Sequence, residues 1–230
     1  MLVILASCRD ETARELAARC AELEPALLTA GDLSGPGWEL RIPGGAGAAV
    51  VSGKRVSCSE IRGVLTRLAA VTEMELDHVA SSDRSYVASE MTAFLAAWLT
   101  SLECPVLNRP SPNCLLGPNW RPEQWLLLAA RIGIPVEDWA RDTEDGFDAT
   151  PARGTTALTV VGERCIGYAH PTLAAHARRL AREAGVELLG VHFSGPKSTD
   201  RLTGVDPAPD LTAGPVADAL VQHFRARLAC

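Results

Sequence analysis

Apolar and polar positions along the chain fall into blocks whose period switches between that of a strand and that of a helix. Residues 2–6 (LVILA) form a continuous apolar run, the pattern of a strand buried on both faces. Asp10 or Thr12 is placed to cap a helix that carries Ala13, Leu16, Ala17 and Leu23. Residues 26–30 predict a second strand, and Gly31, Gly35, Pro36 and Gly37 a loop. WELRI (38–42) and AAVVS (48–52) predict short strands about a Pro43-Gly44-Gly45 turn. A helical turn at 59–61 leads into the apolar run 63–68. This alternation predicts an α/β protein with an open, Rossmann-like sheet.

The clearest helix spans 83–102, with Ser82 or Asp83 as its cap. Val87, Met91, Leu95, Trp98 and Leu102 lie along one face at helical spacing, a stripe best read as core. A short strand at 105–107 and a Pro/Asn-rich turn (108–113) precede a helix at 122–132, with Pro122 in its first turn and Gly133 as its stop. Residues 137–155 are acidic and aperiodic and read as a linker. Residues 155–170 read as a β-hairpin: TALTVV, a Gly162-Glu163 turn, then RCIGYA. A helix at 171–184, strands at 186–193 and 201–205, and a helix at 215–228 complete the chain.

Composition narrows the function classes. The chain has 230 residues and a net charge of −6, which gives no support to nucleic-acid or membrane-surface binding. No apolar run reaches the ~18 residues of a transmembrane helix, and the polar turn at Arg9 argues against a signal peptide. The seven cysteines are scattered, with no C-x-x-C, which suggests reduced thiols in the cytoplasm. Lys54 and Lys197 are the only lysines. Phosphate-binding glycine loops, a nucleophile elbow and a zinc-protease motif are absent. His170 and His176 lie about one helix start, too far apart for a one-turn metal pair. Asp206 and Asp210 sit in a Pro-rich loop, either half of a metal site or ordinary turn chemistry.

One set of segments is more specific. VLNRPSPNCLLGPNWRPEQWLLLAARIGIPV (106–136) resembles the junction of the N-terminal and ATP-grasp domains in RimK-like ligases, above all the graspetide (microviridin-type) peptide ligases. IRGVLTRL and the helix from Asp83 resemble pieces of their N-terminal domain. LTVVGERCIGYA resembles their V-V-G-D hairpin. AGVELLGVHFSGPKSTDRLTGVDPAPDL resembles their metal-loop region, and VADALVQHF their last helix. The order is kept across nearly the whole chain. The resemblance implies a Rossmann-like pre-ATP-grasp domain over 1–104 and a reduced ATP-grasp remainder over 105–230, lacking the lobe that covers ATP.

The departures shape the functional expectation. The linker 137–155 stands where the ligases carry their lysine-bearing lobe, and it has no lysine. The family's metal aspartate corresponds to His192, its glutamate to Gly204 and its asparagine to Asp206. The resemblance therefore implies no cofactor, no metal, no catalytic residue, and a chain that is not an enzyme. The same family docks a precursor leader peptide on the hairpin, where an acidic residue corresponds to Glu163; an ordinary turn residue is the alternative. Thr159, Val161, Arg164 and Tyr168 would flank Glu163. Truncated peptide-binding relatives from crocagin-type pathways are the most similar. The expectation is a precursor-peptide-binding protein that assists tailoring enzymes and forms a homodimer. The alternatives are a minimal ATP-dependent carboxylate–amine ligase, which would use Asp206, Asp210 and arginines, or a non-catalytic subunit of an active ligase.

Overall fold

The structure is a computed structural model and describes residues 1–41, 45–138 and 155–228. In chain order the first elements are β1 (Leu2–Leu5), α1 (Glu11–Arg19), β2 (Pro25–Leu28), α2 (Ala30–Leu33), β3 (Glu39–Arg41), β4 (Gly45–Val51) and β5 (Lys54–Ser57). β6 (Gly63–Thr66), α3 (Arg84–Ser101), β7 (Val106–Leu107) and α4 (Pro122–Arg131) follow. β8 (Thr156–Val161), β9 (Arg164–Ile166), α5 (Pro171–Glu183), β10 (Leu188–Phe193), β11 (Leu202–Asp206) and α6 (Gly214–Leu228) complete the order. The expected linker lies almost wholly outside the described residues, at 139–154.

The chain forms two compact units. One comprises residues 1–118 and 211–230, the other 119–210. These differ from the division at 104 expected from the sequence. The turn after β7 stays with the first unit because Ser111 and Cys114 close a bridge, and Arg109 donates to the carbonyls of Leu99, Leu102 and Cys104 at the end of α3. The last helix, α6, also belongs to the first unit.

In that unit a parallel sheet has the order β2-β1-β6-β7. All four residues of β1 are buried, as a strand covered on both faces requires. Asp10 caps α1 by accepting from the Ala13 amide at 2.9 Å. The same carboxylate takes the Arg67 Nε–H at 2.8 Å, and both side chains are about six-sevenths buried. Leu95, Trp98 and Leu99 of α3 are fully buried in the core, with Val87 and Met91 packed against it, so the stripe read from the sequence is core. Gly63 of β6 meets α6: a Cβ there would lie 2.6 Å from the Phe224 ring. A small antiparallel sheet, β3-β4-β5, adds a strand not expected from the sequence. Ser52 and Gly53, both at positive φ, make its two-residue hairpin turn.

The second unit is an antiparallel sheet of order β11-β10-β8-β9 with α4 and α5 packed on one face. Its core joins Trp125, Leu158, Val160, Leu180, Val191 and Phe193. The segment before the linker lies along the outer edge of β11: Leu202 donates to the Pro135 carbonyl and Glu137 donates to that of Leu202, each at 2.8 Å. β9 is the opposite edge. Gly133, at φ 76°, ends the α4 region as expected.

Burial lowers the pKa of His176 on α5, with Arg179 adding to the effect, and burial alone lowers that of His223 on α6. Unfolding exposes both imidazoles to water, where their pKa is near the ordinary ~6.5. Between the two values the unfolded chain binds more protons, so their contribution to stability is complete above about pH 6.5 and is lost as pH falls through the folded pKa. Urea denaturation at pH 7.5 and 5.5 should show lower stability at the acid end. The double variant His176→Gln/His223→Gln should lose most of that dependence; an unchanged pH slope would refute this assignment.

Candidate functional site

The hairpin expected from the sequence is present. Thr159 faces Ile166, Val160 faces Cys165, and Val161 faces Arg164 across it. The turn is Gly162-Glu163, with Gly162 at φ 57° and its amide donating to the Glu187 carbonyl at 2.7 Å. Strand alternation sends Leu158, Val160 and Cys165 to the helix-covered core and Thr159, Val161, Arg164 and Ile166 to the other face. After β9 the chain closes back on β8 at Gly167. A Cβ there would be 2.7 Å from the Ala157 carbonyl oxygen, and φ is 129°, so only glycine fits.

The five expected site residues fare differently. Tyr168 is 91% exposed, an unusual state for a large aromatic ring. Arg164 and Glu163 are exposed and Thr159 is half-buried. Val161 is buried although it lies on the sheet face turned away from α5. Glu163, expected to meet a peptide arginine, instead faces Arg182 of α5, whose Nη2 donates to Oε2 at 3.4 Å. Both side chains are largely exposed, so Glu163→Gln should change stability by less than ~1 kcal/mol in urea denaturation. The sequence reading missed the arginines of α5. Their signal was present: from Arg164 to Arg182 the chain has four arginines and no carboxylate.

Cys165, half-buried beneath the hairpin, has its thiol pushed up to about 11 by burial, with Arg178 pulling the other way. It is therefore a poor nucleophile at neutral pH. All six described cysteines are unpaired, and Cys20, Cys58 and Cys114 are buried. His170 caps α5, its Nδ1 accepting from the Thr172 amide at 3.2 Å.

The positions that the resemblance sets against metal ligands, His192, Gly204 and Asp206, lie on adjacent strands. His192 is paired with Gly204, and Gly190 with Asp206, on adjacent antiparallel strands. A Cβ on Gly204 would meet nothing within 4 Å, and one Asp206 oxygen accepts from the Ala208 amide at 2.9 Å. Among the described residues no three His, Cys, Asp or Glu side chains are placed to hold a metal. Magnesium bound with nucleotide phosphates uses one or two carboxylates. Of these three positions only Asp206 supplies one, and both lysines, Lys54 and Lys197, are exposed.

No protein-family model matches the sequence, and no curated protein is similar enough to match it. Solved structures do match. One is the macrocyclase MdnC bound with precursor peptide MdnA from Microcystis aeruginosa (TM-score 0.69, 12% identity), with 98% of this chain and 99% of that chain covered. A second is a RiPP-associated ATP-grasp ligase from Chryseobacterium gregarium in complex with ADP and a leader and core peptide (TM-score 0.63, 10% identity), covering 98% and 96%. A third is a RimK domain ATP-grasp protein from Sphaerobacter thermophilus (TM-score 0.54, 17% identity), covering 98% and 100%.

The chain therefore has the mixed α/β fold of the ATP-grasp ligases. These matches correct one expectation. The departures at His192 and Gly204 led to the reading that the chain is not an enzyme, yet the structures it aligns with from end to end include a macrocyclase and ATP-grasp ligases. The inference failed because it weighed a few positions and a linker outside the described residues against the architecture of the whole chain. Among the described residues no helix is long and apolar enough to cross a membrane.

Proposed function

We propose that this protein binds the precursor of a ribosomally synthesised, post-translationally modified peptide and serves its tailoring. The observation that carries the reading is the β8–β9 hairpin. It presents Tyr168, Glu163 and Arg164 beside a strand edge with no strand partner among the described residues. An open edge offers backbone hydrogen bonds to an extended peptide, and an exposed aromatic ring offers an anchor. Two structures of the same fold hold a precursor peptide or its leader and core. Thr159 and Val161 would stiffen the platform. Contact with tailoring enzymes of the same pathway, self-association into a homodimer and a cytoplasmic location belong to this proposal.

A second reading follows from the fold matches, several of which are ligase complexes with nucleotide. In it the chain activates and joins a carboxylate and an amine of its peptide at the expense of ATP, with Asp206, Asp210 and arginines in the nucleotide site. Calorimetry separates the two. The full chain is titrated with the peptide encoded beside its gene and, in parallel, with ATP and Mg²⁺. Peptide binding that weakens about tenfold (~1.4 kcal/mol) in Tyr168→Ala is expected. Binding unaffected by that substitution would remove the hairpin from the site. Nucleotide binding with peptide-dependent ATP hydrolysis would put the ligase reading first.

A further inference from the structure

The segment from Arg164 to Arg182 is basic in a chain that is acidic overall, with Glu163 and Glu183 at its two ends and Glu187, whose carbonyl accepts from Gly162, beside the turn. The net charge is −6, yet Arg164, Arg178, Arg179 and Arg182 follow one another with no intervening carboxylate. The fold gathers three of them, Arg164, Arg178 and Arg182, around β9. Arg164 stands with Ile166 on the face turned away from the core. Cys165 marks the other face, where α5 packs, and Arg178 acts on its thiol from there. Arg182, one turn further along α5, reaches Glu163 at the hairpin turn. Among the described residues no carboxylate pairs with Arg164, Arg178 or Arg179, and Glu163 answers only Arg182.

β9 ends its sheet, so its outer edge is open among the described residues. A peptide strand laid on that edge sends alternate side chains to the two faces. One set then approaches Arg164 and the other Arg178 and Arg182. We propose that the segment docked at β9 is acidic: an extended peptide carrying Asp or Glu on both faces, added to the sheet as a fifth strand. The proposal rests on the peptide-binding reading and specifies its partner. It reverses the expectation of a peptide arginine on Glu163. Such an arginine would have to displace Arg182 and would lie beside two further guanidinium groups, those of Arg164 and Arg178. A carboxylate instead gains short, charge-assisted hydrogen bonds from Arg164 and Arg178, which pair with no carboxylate among the described residues. Arginines on a bare edge also deter pairing with a second copy of this chain through that edge.

The full chain is panned at low salt against a phage-displayed library of random dodecapeptides, and enriched peptides are synthesised and titrated. The expected binders carry net negative charge. Their affinity should fall at least tenfold in Arg164→Gln/Arg178→Gln/Arg182→Gln and fall with added salt. The single variant Arg164→Gln, at an exposed position, keeps the test valid if the triple variant misfolds, and should weaken binding severalfold. Binders that are neutral or basic and weaken in Tyr168→Ala would overturn the acidic partner while leaving the hairpin reading intact. So would acidic binders indifferent to the arginine variants. Binders insensitive to the arginine and Tyr168 variants alike, or no enrichment at all, would overturn both.

Discussion

Asp10→Ala should destabilise the protein by about 4 kcal/mol. Two losses combine. The carboxylate that caps α1 disappears, typically worth ~1 kcal/mol. Arg67, whose side chain is only 14% exposed, is left with its charge unpaired. Breaking a fully buried pair costs roughly 3–5 kcal/mol, and the residual exposure of this pair places it toward the lower end. Asp10→Asn keeps an oxygen for the Ala13 amide and removes the charge, so it should lose less. Arg67→Met on the Asp10→Ala background removes the stranded cation and should recover part of the loss. Urea midpoints at constant m-value measure all of this. A loss of ~1 kcal/mol in Asp10→Ala, with no coupling to Arg67, would show that the pair contributes nothing beyond the cap.

Gly167→Ala should cost about 3 kcal/mol and reduce peptide affinity more than tenfold. The new methyl group would lie 2.7 Å from the Ala157 carbonyl oxygen and 2.7 Å from Leu158 Cδ2, both on the strand that supports β9. A backbone oxygen cannot swing aside as a side chain can, so the hairpin itself must open. Strain at φ 129° adds to this, since that region is nearly closed to residues with a Cβ. Gly133→Ala is the control. Its φ of 76° is also unfavourable, but a Cβ there meets nothing within 4 Å, so it should cost only ~1 kcal/mol and leave peptide binding unchanged. Equal losses in the two variants would mean that backbone strain, and not the contact with β8, sets the cost.

The elements that the sequence reading placed correctly are those whose causes are local. β1 follows from four consecutive apolar residues, the start of α1 from Asp10 three residues before the amide it accepts from, and the end of α4 from Gly133. The hairpin was legible because strand, Gly-containing turn and strand lie within a dozen residues. β5 was missed because Lys54 and Arg55 break the apolar pattern; it is held by its pairing with β4. That His192 would sit directly across from Gly204 depended on the β10–β11 register.

What the sequence by itself determined is the α/β alternation, the caps and stops, the hairpin and the resemblance to ATP-grasp ligases, all carried by residues close in the chain or by motifs in order. What only the tertiary structure decided are contacts between distant residues. α6 joins the first unit because Gly63 leaves room for the Phe224 ring. Glu163 meets Arg182 because α5 packs across β9, and that packing turns a run of arginines into a charged edge. Periodicity and capping act over one or two turns, so they can be read in one dimension. Close approach and the sum of charges at a surface depend on which segments the core brings together, and no single segment contains that information.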